Sequence, residues 1–277
     1  MKVPPPDGSR DRRIEDLSNL YLIHPAARAL LLPALRARVS ANAVSVMGLL
    51  LGIAAAFCYS EWRWWPAALL GLLFSVGWLI ADGLDGMVAR ATGTSSVAGR
   101  VLDGVVDHGV FILIYVTLAT SIGTIAAWSA AIVAGACHAL QSMLYEGERA
   151  RFHRRLRLEP APPREGAVPI YDSIARAWDR AAERFDALLA RPKLAPALAQ
   201  AYAAEATAPM KAMALLSANV RVAAIFAACL LGWPELFWWF EIGPLTLVLI
   251  TTALWHRQVE WRLARQWGEL PSLGNRA

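Results

Sequence analysis

Residues 64–109 read WWPAALLGLLFSVGWLIADGLDGMVARATGTSSVAGRVLDGVVDHG: an apolar run ending at Ala81, a polar stretch holding four aspartates, and the start of the next apolar run at Gly109. At 1.5 Å per helical residue the first run is about 27 Å long, close to the thickness of a bilayer's hydrocarbon core. Asp82 and Asp85 therefore fall at one end of a spanning helix. The next helix must return in the opposite direction, so Asp103 and Asp107 reach the same end. Asp82 and Asp85 are i, i+3 and Asp103 and Asp107 are i, i+4, separations that put each pair on one helix face. Gly86 lies four residues after Asp82 and Gly99 four before Asp103, so both glycines share the acidic faces. Thr92, Gly93, Thr94, Ser95 and Ser96 supply a polar turn that lets the two helices pair antiparallel.

Outward from this stretch the chain reads as all-α. Of its 277 residues 57% are hydrophobic and 18% charged, too apolar for a soluble domain of that size. Apolar stretches at 43–60, 64–81, 109–128, 129–145, 213–232 and 235–255 predict an integral membrane bundle of six transmembrane helices. The third and fourth leave only Ser121 to Thr124 for a turn. Residues 14–38 alternate apolar and basic groups around Pro25 and Pro33, the pattern of an interfacial amphipathic helix broken at the prolines. This divides the chain into a cytoplasmic or interfacial segment 1–41, a catalytic transmembrane domain 42–256 and a tail 257–277. The transmembrane domain includes a mostly helical cytoplasmic excursion at 146–211 with a helical pattern from Tyr171 to Leu189.

Residues 1–41 carry seven Lys or Arg, 146–211 twelve and the tail after 256 four, whereas the loops on the other side carry only Arg63. That asymmetry predicts cytoplasmic termini and, for a multi-pass protein of the inner membrane, acids that face the cytoplasm. Trp64, Trp65, Trp233, Trp238 and Trp239 gather at the opposite ends, where indoles favour the interface. The basic excess points to anionic membrane lipids and excludes nucleic acid as the partner. Cys58, Cys137 and Cys229 lie in separate apolar spans without a CxxC pair, which excludes a disulfide or zinc framework.

Four carboxylates at a membrane interface repel one another and resist desolvation. Taken singly, each suits a solvated helix end, and either glycine suits close helix packing. Jointly they suit a divalent cation, and an all-oxygen donor set selects Mg2+ or Mn2+. Arg90 and Arg100, beside the acids, imply an anionic substrate.

Asp82, Asp85, Gly86, Ala89, Arg90, Gly99, Asp103 and Asp107 are eight fixed residues over 26 positions. They resemble the full signature of the CDP-alcohol phosphatidyltransferases. Ser40, Ala41, Asn42 and Ser45 resemble that family's entry into its first transmembrane helix, with Ala41 in place of the usual proline. The resemblance implies two ions, one held by Asp82, Asp85 and Asp103, the other by Asp82, Asp103 and Asp107. Asp107 would also be the general base. Gly86, Ala89 and Gly99 would admit the CDP group, with Arg90 on phosphate and Asn42 reaching the nucleotide. The donor would be CDP-diacylglycerol or another CDP-alcohol, the second substrate an alcohol acceptor, the leaving group CMP, and the partner a second copy of the chain in a homodimer.

For the acceptor the candidates are His138, Gln141, Asn219 and Arg221, polar residues inside apolar runs that equally suit interhelical hydrogen bonds. The signature leaves open whether the lipid is on the donor, with a polar alcohol accepting, or on the acceptor, with a CDP-linked headgroup donating to diacylglycerol or a ceramide. A divalent-cation transporter is the rival of a different class. Its sites sit near the midplane between inverted repeats, whereas these acids lie at one end and no repeat is evident.

Overall fold

The structure is a computed structural model that describes residues 11–95, 97–160 and 182–268, without the side chains of residues 97, 98, 100–103 and 105. It is all-α, with no strand among the described residues, and its long apolar helices make it a multi-pass membrane protein. Ten α-helices are described: α1 (His24–Arg36), α2 (Ala41–Ser60), α3 (Trp65–Thr92), α4 (Val97–Ile122), α5 (Ile125–Leu156), α6 (Glu183–Leu189), α7 (Ala195–Met213), α8 (Ala218–Leu230), α9 (Glu235–Phe240) and α10 (Thr246–Gly268). A wide π turn precedes α1 at Asn19–Ile23 and another joins α9 to α10 at Glu241–Leu245. The second contains Pro244, which has no N–H to continue an α ladder.

Among the described residues four helices, or five if one bent pair is a single span, are long and apolar enough to cross a membrane. Ala41–Ser60, Trp65–Thr92, Ile125–Leu156 and the continuous Glu235–Gly268 are each long and apolar enough to cross a membrane, and Ala195–Leu216 with Ala218–Leu230 forms a fifth, broken span. Within α4 the stretch Val106–Ile122 is a shorter apolar helix. The break in the fifth falls at Ser217, whose backbone is extended (ψ 156°). The fourth helix continues to Leu156, eleven residues beyond the expected end of its span. Of the helical pattern expected from Tyr171 to Leu189, Glu183–Leu189 is helical and residues up to 181 lie outside the described ones. Pro33 does not break the amphipathic helix: α1 runs through it to Arg36, while Pro25 sits in the first turn, where its missing N–H has no role.

The chain forms two compact units. The first, residues 1–139 and 217–246, is a helix bundle around Tyr59, Trp78, Val110, Phe111, Ile114, Leu118, Ile225, Phe237 and Trp238. Its tightest seams are made by glycine: a Cβ on Gly52 would lie 2.3 Å from Val110 of α4, and one on Gly71 would lie 2.6 Å from the Tyr59 ring. Trp238 is fully buried there, unlike Trp64, Trp65, Trp233 and Trp239, which are exposed as an interfacial belt requires. Asn219 turns toward the N-terminal segment, where its amide donates to both carboxylate oxygens of Asp16 at 3.1 and 3.2 Å.

The second unit, residues 140–216 and 247–277, is organised by charge. Glu148 accepts from Arg151 and Arg257, Glu260 from Arg155 and Arg257, and His256 bridges Glu148 Oε2 and the Tyr202 hydroxyl at 2.7 and 2.8 Å. Arg155 also donates to Asp186 at 2.8 Å, and its guanidinium lies over Phe185 and Tyr202.

Candidate active site

Helix α3 ends because Gly93 adopts the left-handed conformation (φ 67°), which lets its N–H reach Arg90 O and the Thr94 N–H reach Ala89 O, the two bonds of a Schellman cap. The chain then reverses into α4. Two contacts fix the register of the returning helix. At the far end, the Trp62 indole N–H donates to Ser121 Oγ at 3.1 Å and Arg63 donates to Ser121 O at 3.3 Å. In the middle, the Trp78 and Phe111 rings meet edge-to-face, centroids 5.3 Å apart. Asp82 follows Trp78 by four residues and Asp107 precedes Phe111 by four, so on antiparallel helices both acids lie one turn beyond the ring contact, on the same side. Asp85 and Asp103 are one further turn along. Asp103 belongs to α4, but its side chain lies outside the described residues.

Asp82 and Asp107 are half-buried and Asp85 is buried. The Ser45 hydroxyl of α2 donates to Asp85 Oδ2 at 2.5 Å, orienting that carboxylate. This contact was not expected from sequence, although Ser45 stands one turn after Asn42 on the same helix. Asn42 itself is exposed in the first turn of α2, whose N-cap Ser40 accepts from the Ala43 N–H at 3.2 Å. Gly86, Ala89 and Gly99 are half-buried. A Cβ on Gly86 would meet Arg90 Nη1 at 3.1 Å, so the arginine folds back toward the start of its helix and carries its charge over the Asp82–Gly86 face. Oxygen-only donors on two converging helices, one already oriented by a hydroxyl, fit a hard divalent cation.

A second group, Glu148, His256 and Glu260, has ligand atoms within 4.8 Å of one another. Those carboxylates already accept from Arg151, Arg155 and Arg257, so a dication would enter where three guanidinium groups supply the positive charge. That cluster is a structural ion-pair network rather than a metal centre.

Of the expected acceptor residues, His138 and Arg221 come together through a residue that sequence reading missed. Arg221 Nε donates to Glu241 Oε1 at 2.9 Å, and His138 Nδ1 stands 3.6 Å from the same oxygen. The His138 ring lies tilted against Phe111, centroids 4.4 Å apart. Glu241, a carboxylate inside the final apolar run, was the available signal. Asn219 is engaged by Asp16, and Gln141 is buried in the second unit.

Residues 38–154 match the family model described as CDP-alcohol phosphatidyltransferase, a stretch that takes in α2, α3, α4 and nearly all of α5. No curated protein matches the chain.

Proposed function

We propose, on the premise that residues 38–154 match the CDP-alcohol phosphatidyltransferase family model, that the chain transfers a phosphatidyl group from CDP-diacylglycerol to a polar alcohol, releasing CMP, at the cytoplasmic face of the inner membrane. The observation that carries the reading is the register of α3 and α4, with Asp82 and Asp107 one turn beyond the Trp78–Phe111 contact.

Asp82, Asp85 and Asp103 would hold one divalent ion and Asp82, Asp103 and Asp107 a second. Bound Mg2+ or Mn2+ supplies charge neutralisation for the CDP diphosphate. The protein's own contributions are positional and protonic. Ser45 keeps Asp85 turned toward its helix partner, and Arg90 offers a guanidinium to a phosphate oxygen on the glycine-lined face. Gly86 and Gly99 would leave room for the nucleotide, and Asn42, exposed in the first turn of α2, would reach it. Asp107 takes the proton of the acceptor hydroxyl, that oxygen attacks the β-phosphorus, and the bond to the CMP oxygen breaks.

The test is CMP release by purified protein in detergent with Mg2+, offering CDP-diacylglycerol against a panel of polar alcohols, with Asp107→Asn as control. Acceptor-dependent release that the control lacks supports the reading. Release only when a CDP-linked headgroup is offered with diacylglycerol or a ceramide would reverse the assignment of donor and acceptor.

A further inference from the structure

Beneath the carboxylates lies a second layer whose chemistry the phosphotransfer step does not use. His138 is 93% buried, tilted against Phe111 with ring centroids 4.4 Å apart and edge-on to Tyr115 at 6.1 Å, yet its Nδ1 has no hydrogen-bond partner among the described residues. The Trp238 indole N–H is in the same condition, and Trp238 stands three residues before Glu241, on its face of the helix. Buried polar nitrogens in a membrane-spanning bundle are costly unless something satisfies them. Between them sits the Arg221–Glu241 pair, 1% and 0% exposed, opening the π turn at Glu241–Leu245. Such widened turns recur at functional sites.

The layer is within reach of the reacting groups. Phe111, which His138 contacts, is one helical turn from Asp107, a rise of about 6 Å along α4. A polyhydroxy alcohol with one hydroxyl at Asp107 would direct another toward this layer. The electrostatics then discriminate. Arg221 already has its counter-charge in Glu241, so the layer offers hydrogen-bonding groups with no net positive charge, and a phosphate brought here would face the Glu241 carboxylate in a low-dielectric interior.

We propose that His138, Trp238 and the Arg221–Glu241 pair form the acceptor subsite, and that they select an uncharged polyhydroxy alcohol over its phosphorylated counterpart. The proposal rests on the transferase reading above and names its second substrate by class.

The experiment measures acceptor-dependent CMP release by the full-length protein with glycerol and inositol, and separately with glycerol 3-phosphate and inositol phosphate. His138→Phe keeps the ring packing against Phe111 and Tyr115 and removes the nitrogen. Turnover with an uncharged polyol, at least tenfold higher in kcat/KM than with its phosphate ester, is expected. In His138→Phe the acceptor KM should rise about tenfold with the donor KM unchanged, the loss of one buried hydrogen bond. Preference for a phosphorylated acceptor, or an unaltered acceptor KM in the variant, would overturn the subsite while leaving the transferase reading intact. Absence of CMP release with every acceptor would overturn the transferase reading itself. Equilibrium binding of radiolabelled inositol to wild type and His138→Phe then decides the subsite, and no saturable binding, or equal binding by both, would sink it.

Discussion

Trp78 and Phe111 meet edge-to-face at 5.3 Å, and that contact ties α3 to α4. It holds α3 and α4 at a register in which residues four positions toward the connecting turn come level with each other, and those residues are Asp82 and Asp107. Gly48 and Gly52 of α2 allow both helices close approach from a third side, at Ala81 and Val110.

Asp107→Asn should lower acceptor-dependent CMP release by about 10²–10⁴-fold, the usual worth of a general base. Nucleotide binding should survive, because three aspartates remain. Titration with CDP in the presence of Mg2+ checks the second half: a variant that neither turns over nor binds CDP would mean that Asp107 does more than move a proton.

Ser45→Ala deletes the 2.5 Å hydrogen bond to Asp85 without altering the carboxylates. Groups that orient a metal ligand typically contribute about 10–100-fold in metal affinity. The Mg2+ concentration giving half-maximal CMP release should therefore rise by about tenfold with little change at saturating Mg2+. An unchanged Mg2+ dependence would remove Ser45 from the site.

Gly52→Val places branched carbons where even a Cβ would be 2.3 Å from Val110. Overpacking of this kind costs about 1–3 kcal/mol. Thermal unfolding in detergent should show a lower midpoint, and Gly52→Val combined with Val110→Ala should recover part of it, whereas Gly104→Ala, with nothing among the described residues within 4 Å of its Cβ position, should leave the midpoint unchanged.

Arg221→Leu strands the buried Glu241 carboxylate and should cost about 3–5 kcal/mol, as should Glu241→Leu in the opposite sense. The double variant removes both charges and should be more stable than either single one. Midpoints that fall additively would show that the pair is not coupled.

The acids were legible because charged residues at helical spacing stand out against apolar spans, and the short turn at Gly93 follows from its permissive backbone. Likewise the tight joint between α4 and α5 follows from Gly123, at φ 75°, with Thr124 beside it. Ser45 was not legible as a partner of Asp85: forty residues separate them, and only the packing of α2 on α3 brings them together. The start of the 146–211 excursion is helical, as expected, but the pairing of Glu148 and Arg155 with Arg257 and Glu260 of α10 was not legible, because the partners are far apart in the chain. Trp238 read as an interfacial indole beside Trp239, yet adjacent positions on a helix point about 100° apart, and the two separate into core and surface. Ser217 divides the stretch 213–232, expected as a single span.

The Arg221–Glu241 pair also bears on how the chain enters the bilayer. Arg221 stands nine residues before the end of α8 and Glu241 seven beyond Pro234, so α8 and the helix that follows each carry one charge into the hydrocarbon region when taken alone. Joined by the short turn at 231–234, the two neutralise each other. Entering the bilayer as a helical hairpin therefore costs less than entering it one helix at a time.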